Sequence, residues 1–230
     1  MYDRPELREQ TDVLWSAIRD AIRARGIDAP EKLDRKRKTN DVWTDPSLVL
    51  SQTCGMPWRL GLHAQTQLIG TPDYGVEGCP TGYYCSVIVV RSDDPRRNRA
   101  DFAEGTCAYN ANDSQSGYAA WEGAEFEQWL QSRAHVESIK AVAEGRADIA
   151  AIDAVTWRLA QRYDAEAKTL RVLERTRPTP GLPFITSKMR DAQILADAVT
   201  EAIANLEPSV RDALGLAGFV QIPAADYLAV

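Results

Sequence analysis

Apolar residues recur at helical spacing in several parts of the chain. In the first of these, Leu7, Leu14, Ile18 and Ile22 form one apolar face, and Gly26 follows as a stop signal. Similar patterns predict helices over residues 5–25, 118–130, 136–144, 155–163, 188–206 and 208–214.

Short continuous apolar runs alternate with these helices and predict buried strands. The strongest run is Cys85–Val90, and the full set covers residues 48–50, 65–69, 85–90, 106–109, 147–152, 169–174 and 184–186. This alternation is typical of an α/β fold with mostly parallel sheets covered by helices on both faces. The charged turn Arg91–Arg97 and the proline-rich stretch Arg177–Pro183 indicate two crossings between two such units.

The stretch Asn110–Tyr118 lies between a predicted strand and the predicted helix 118–130. Ser114, Ser116 and Gly117 stand where that helix would begin. Unpaired N–H groups and two hydroxyls at a helix N-terminus can bind an anion without a lysine or arginine. The alternative is an ordinary serine N-cap. On the same helix, Trp121 and Trp129 are expected in the core.

Further polar residues stand at predicted strand and helix ends. His135 precedes a predicted helix, and the alternative to a ligand-binding role is a helix-capping or surface histidine. Asp153 follows a predicted strand, and the alternative for it is a helix N-cap. Together with Ser114 and Ser116 they would face one crevice. From the other unit we expect the following residues opposite them: Gln52, Thr53, Cys54 and either Tyr83 or Tyr84.

Composition narrows the functional classes. The chain has 230 residues and a net charge of −6, which argues against a nucleic-acid or anionic-membrane surface. The short basic run Arg35–Lys38 is interpreted as a solvated loop or helix end. Four cysteines without a CxxC pair and two histidines make a zinc site improbable, and they leave open whether disulfides form.

The start of the chain is polar, and no apolar run is long enough to span a membrane. The protein is therefore expected in the cytoplasm if this start is native, or in the periplasm if the chain is a mature or trimmed form. An open α/β unit normally begins with a strand. The first strand is either missing here or reduced to a stub at Met1-Tyr2.

An ordered set of motifs resembles one known family. The set comprises Gln52-Thr-Cys-Gly55, Tyr84–Arg91, Ser114-Gln-Ser-Gly-Tyr118, His135, Ala143–Asp153 and Thr179-Pro-Gly-Leu-Pro183. It is similar to that of the PhnD-like phosphate and phosphonate substrate-binding proteins of ABC transporters, which have the type II periplasmic-binding-protein fold. The resemblance covers nearly the whole chain.

The resemblance implies two lobes that close over an oxyanion. Lobe 1 would comprise residues 1–90 and 184–230, lobe 2 residues 91–183, with hinge crossings near 88–92 and 178–186. The ligand-binding residues it implies are Ser114, Gln115, Ser116, Gly117, His135, Asp153 and either Tyr83 or Tyr84. Gln115 departs from the family pattern, because a hydroxyl residue is usual at its position in the phosphonate binders.

The leading hypothesis is a solute-binding protein that captures a small phosphonate, phosphate ester or similar oxyanion by hinge closure. Its partners would be that ligand and an ABC permease, without a cofactor, a metal or catalysis. The alternative is an enzyme on the same fold, with Cys54 as thiol nucleophile and His135 as base. A cytoplasmic sensor that transmits closure to a partner is a further alternative.

Overall fold

The computed structural model describes residues 2–230. Packing divides the chain into unit 1, which contains the chain up to Tyr83 together with Pro180–Val230, and unit 2, which contains Tyr84–Thr179. The lobe limits taken from the sequence remain a prediction. In the packing, Ser86–Arg91 belongs to unit 2, and the chain passes between the units at two short strands.

The α-helices are α1 Arg8–Ala24, α2 Thr39–Trp43, α3 Gly55–Leu60, α4 His135–Ala143, α5 Ala154–Tyr163, α6 Ala192–Ala204, α7 Pro208–Leu214 and α8 Ala224–Leu228. Short 3₁₀ helices lie at Pro5–Leu7, Leu62–Ala64, Arg99–Phe102, Ala119–Trp121 and Glu166–Thr169. Among residues 2–230, no helix combines the length and the apolar character that a membrane crossing needs.

The strands are β1 Ser51–Gln52, β2 Thr66–Asp73, β3 Tyr83–Tyr84, β4 Ser86–Arg91, β5 Thr106–Tyr109, β6 Gln128–Gln131, β7 Ile149–Asp153, β8 Leu170–Arg175, β9 Thr179–Pro180, β10 Phe184–Ser187 and β11 Gly218–Val220. Strands β3 and β9 carry the two crossings between the units.

Unit 1 contains a four-stranded sheet in the order β1-β10-β2-β11. Phe184 of β10 packs in the cluster that includes Ile22 of α1 and Val199 of α6. Its neighbour Ile185 packs in a second cluster that includes Tyr227 of α8. Because successive strand residues point to opposite faces, the sheet has an apolar core on each side.

Unit 2 contains a five-stranded sheet in the order β6-β5-β7-β4-β8. The two central strands β4 and β7 are buried along almost their whole length, as their continuous apolar sequences predicted. This rigid centre positions the residues at the ends of β5 and β7.

The expectation of mostly parallel sheets is wrong. Only β5 runs parallel to its neighbours, β6 and β7, whereas the pairs of β4 with β7 and with β8 and all pairs in the sheet of unit 1 are antiparallel. Strand β4 follows a crossing directly, so no helical crossover within unit 2 dictates its direction relative to β7. The fold is a mixed α/β fold.

The predicted helix 118–130 is wrong as well. A 3₁₀ turn at Ala119–Trp121 is followed by Gly123 in the left-handed region (φ 74°) and then by strand β6. Pairing with β5 overrides the helical spacing of the apolar residues. Trp121 is buried at 2% exposure, as expected, but Trp129 on β6 is 40% exposed and does not belong to the core.

Two smaller expectations also differ from the structure. Leu48–Leu50 is not a strand: the Leu48 carbonyl accepts hydrogen bonds from Thr186 Oγ1, Ser187 N and Arg190 Nε, and the strand is the short β1 that follows. Of the predicted strand stub, Met1 lies outside the described residues and Tyr2 is not in a strand.

Candidate functional site

The Ser114–Gly117 turn follows β5 in unit 2 and is buried. It does not begin an α-helix as expected, so no helix dipole acts there. Instead the Ser114 carbonyl accepts from Tyr118 N at 3.1 Å and Ala119 N at 3.0 Å, and Ser114 Oγ accepts from Gly117 N at 3.0 Å. Ser114 therefore does cap the turn, and its O–H remains available as a donor.

Ser116 has two donors directed by this turn. Its N–H donates to no acceptor within residues 2–230. Its Oγ lies 2.9 Å from His135 Nε2. Buried N–H groups are rarely left without a hydrogen-bond acceptor. The Ser116 N–H is therefore the group of the turn that most clearly indicates a bound ligand.

His135 is the first residue of α4 and is neutral at pH 7. Burial lowers its pKa to about 4, and a hydrogen bond with the Ala151 backbone acts in the opposite direction by raising the pKa. Two tautomers are compatible with the contact to Ser116. When His135 Nε2–H donates to Ser116 Oγ, the serine proton is free to donate to a third group, and with the other tautomer it is not.

Gly117 admits no larger side chain. A Cβ at this position would overlap the Asn110 side-chain oxygen and lie 3.1 Å from His135 Cε1. Asn110 therefore belongs to the site, although the sequence reasoning did not select it. Its position directly after β5, at the carboxyl end of a strand, is the signal that could have identified it.

Asp153 ends β7 and caps α5, because its carboxylate accepts from Thr156 N at 2.8 Å. The N-cap interpretation is thus confirmed. Its strand neighbour in β4 is Ser86, whose Oγ donates to the Ser116 carbonyl at 2.8 Å. Ser86 positions the turn, and nothing in the sequence pattern distinguished it from an ordinary buried strand residue.

The structure therefore brings together Ser114, Ser116, Gly117 and His135. Asp153 is linked to them indirectly, because it pairs in the sheet with Ser86, which donates to the Ser116 carbonyl. Gln115 is buried within the same turn, and Tyr84 is buried in unit 2 beside the first crossing.

The other candidates lie in unit 1. Thr53 and Cys54 are buried just before α3, and the Thr53 hydroxyl donates to the Cys54 carbonyl at 3.2 Å. Gln52 Nε2 donates to the Leu182 carbonyl at 3.1 Å. The Tyr83 hydroxyl donates to Asp226 Oδ2 at 2.8 Å, and burial together with that carboxylate raises the pKa of Tyr83.

No disulfide bond within residues 2–230 joins any two of Cys54, Cys79, Cys85 and Cys107. Within residues 2–230, no group of three or more His, Cys, Asp or Glu side chains could hold a metal ion.

A family model described as "ABC transporter, phosphonate, periplasmic substrate-binding protein" matches residues 58–227. The chain belongs to this family. It is therefore a solute-binding protein of the ABC-transporter type, and the family is one of transport proteins rather than enzymes. Such a protein has a small ligand and a permease as partners. A comparison with curated protein sequences gave no match.

Solved structures of the same fold include members of this family. XAC2383 from Xanthomonas citri bound to chloride ion has a TM-score of 0.72 at 17% identity, covering 98% of this chain and 90% of that chain. PhnD1 from Prochlorococcus marinus in complex with methylphosphonate has a TM-score of 0.71 at 13% identity, covering 96% and 90%. A binding protein of a phosphonate ABC transporter from Pseudomonas aeruginosa has a TM-score of 0.64 at 16% identity, covering 94% and 77%. At these identities the likeness concerns the fold.

Proposed function

We propose that the Ser114–Gly117 turn holds the oxyanion of a small phosphonate, phosphate ester or related solute. The observation that carries this proposal is the buried Ser116, whose N–H has no acceptor within residues 2–230 and whose hydroxyl lies 2.9 Å from His135 Nε2. An oxyanion oxygen placed there accepts from both groups. The Ser114 hydroxyl adds a further donor.

His135 sets the direction of these hydrogen bonds. With its pKa lowered to about 4 it stays neutral at pH 7, so it adds no positive charge to the site. The bound oxyanion selects the tautomer in which His135 Nε2–H donates to Ser116 Oγ, because only then does the serine O–H point to the ligand. The site therefore binds its ligand with neutral, oriented donors.

Gln115 distinguishes this turn from that of the typical phosphonate binders. It offers an amide where they carry a hydroxyl, so the turn has two serine hydroxyls and not a third. We therefore expect the preferred solute to differ in shape or substituent from a simple alkylphosphonate. The relatives support the ligand class: the Prochlorococcus protein holds methylphosphonate, and one structure of XAC2383 holds ATP.

The proposal extends to delivery. The two units close over the solute by bending at the crossings β3 and β9, and the loaded form is presented to an ABC permease. Thr53, Cys54 and Tyr83 remain predicted ligand contacts from unit 1. The hydroxyl protons of Thr53 and Tyr83 are engaged inside that unit, so these two would contact a ligand as acceptors.

Calorimetric titration with methylphosphonate, phosphate and sulfate tests the proposal. Ser116→Ala removes one charge-assisted donor and should weaken binding by about 1–3 kcal/mol. Ser92→Ala, an exposed serine in the turn after β4, serves as the matched control and should bind like the unmodified protein. Absence of binding to all three oxyanions, or equal affinity in the two variants, would refute the assignment of the turn.

A further inference from the structure

Four aromatic side chains in unit 2 form a continuous cluster, called here the aromatic patch: Tyr109, Tyr118, Phe126 and Trp129. The ring centroids of Tyr109 and Tyr118 lie 5.3 Å apart, those of Tyr109 and Trp129 5.7 Å, and those of Phe126 and Trp129 5.2 Å. Tyr118 and Trp129 are each 40% exposed. Exposed apolar surface of this kind, contributed by neighbouring large rings, is a mark of interaction sites.

The fold holds the aromatic patch firmly. Trp129 lies on β6, which is the edge strand of the sheet, and Tyr109 ends the neighbouring strand β5. Phe126 contacts the buried Trp121 at a centroid distance of 5.0 Å and so anchors the patch to the core. The rings are therefore preorganised on strands and on an anchored loop. Core packing does not account for the exposure of Trp129.

The sequence around the aromatic patch is acidic; the nearest basic side chains include Arg99, which lies over the buried Trp121 ring at 5.8 Å and pairs with Glu174, and Arg133 stands two residues after β6. Residues 104–132 contain five acidic residues and no lysine, arginine or histidine. All five are exposed, and none forms an ion pair within residues 2–230: Glu104, Asp113, Glu122, Glu125 and Glu127. Glu125 and Glu127 directly flank Phe126. Negative ring faces and uncompensated carboxylates both attract cations.

We propose that the aromatic patch is a docking surface for a cationic segment of a partner protein, with arginine or lysine side chains stacking on Trp129 and pairing with Glu122, Glu125 and Glu127. Arginine fits best, since its planar guanidinium stacks on rings and also pairs with carboxylates. The surface lies entirely in unit 2. It adjoins the Ser114–Gly117 turn at Tyr118, whose N–H donates to the Ser114 carbonyl, but the proposal does not require an oxyanion at that turn.

A second copy of this chain is a poorer match for the aromatic patch. The basic run of the chain is Arg35–Lys38, and its two arginines are already paired inside unit 1. Arg35 forms ion pairs with Asp3 and Asp12, and Arg37 forms one with Asp45. Without breaking these pairs, a second copy would offer from this run only the exposed Lys36 and Lys38, and lysine stacks on rings and pairs with carboxylates less well than arginine.

An octa-arginine peptide tests the proposal, with octa-glutamate as the charge-reversed peptide. Binding is followed through the Trp129 indole N–H resonance by NMR and through the dissociation constant at two salt concentrations. The patch variant is Glu122→Gln/Glu125→Gln/Glu127→Gln. The matched control removes three exposed, unpaired acids of unit 1, as Glu9→Gln/Asp28→Asn/Glu207→Gln, and changes the net charge equally.

We expect octa-arginine to shift the Trp129 resonance and to bind about tenfold more weakly to the patch variant than to the control variant. Trp129→Ala should weaken binding by about two- to fivefold, and Trp129→Phe should retain most of it. Equal weakening in the two triple variants would overturn the proposal. So would an unchanged affinity in Trp129→Ala, or a Trp129 shift with choline chloride and none with the peptide.

Discussion

The packing around Gly117 gives the sharpest prediction about the candidate site. In Gly117→Ala the new methyl group overlaps the Asn110 side-chain oxygen and approaches His135 Cε1 to 3.1 Å. The histidine must give way by a few tenths of an ångström, and Asn110 must leave its position. Overpacking of a buried site typically costs about 1–3 kcal/mol of unfolding free energy, and we expect a loss in that range.

The second consequence concerns the ligand. Because His135 Nε2 lies 2.9 Å from Ser116 Oγ, displacing the ring also disturbs the donor that we assign to the oxyanion. Gly117→Ala should therefore raise the dissociation constant for methylphosphonate even under conditions in which the variant is fully folded. Urea denaturation and calorimetric titration measure the two effects separately.

The double variant Gly117→Ala/Asn110→Ala distinguishes a steric cause from a backbone cause. It removes the side chain that the new methyl group meets, so most of the lost stability should return relative to Asn110→Ala alone. Gly218→Ala is the control, since Gly218 lies in strand β11 and a Cβ there meets nothing within 4 Å. Stability in Gly117→Ala equal to that of the control, or no recovery in the double variant, would refute this reasoning.

Two further predictions concern neighbouring groups. Asp153→Ala removes the side chain that accepts from Thr156 N and should lower the free energy of unfolding by about 1 kcal/mol in urea denaturation, whereas Asp153→Asn should retain most of it. Because the pKa of folded His135 is lowered from 6.5 to about 4, the stability due to its neutral form is complete above pH 6.5 and declines as the pH falls toward 4. His135→Gln should flatten this part of the pH–stability curve; an unchanged slope would show that other groups cause it.

Local sequence patterns were sufficient where burial is continuous. Strands β4 and β7 are apolar along almost their whole length, and the structure shows them at the centre of the sheet of unit 2. The amphipathic helix α1 was equally clear. The role of Asp153 as a helix cap could be predicted from its position between an apolar run and a helical pattern.

Elsewhere the tertiary structure overrode the local pattern. The residues from Tyr118 to Leu130 have helical spacing, but Gly123 breaks the run and pairing with β5 draws Gln128–Gln131 into a strand. The same pairing exposes Trp129. The direction of the strands could not be predicted from the sequence either. The direction of β4 depends on the crossings between the units, and these depend on contacts between residues far apart in the chain.

By itself, the sequence determined the α/β class, the family resemblance and the identity of the turn with its two serines and histidine, because these depend on residue types in a fixed order. Only the tertiary structure decided the contacts of this turn. It showed that no α-helix begins at Ser114–Gly117, that His135 is a neutral partner of Ser116, that Ser86 donates to the Ser116 carbonyl and that Asn110 lies against Gly117. The physical reason is that hydrogen-bond partners and burial are set by chain segments far apart in sequence, as with Ser86 and Ser116, which are 30 residues apart.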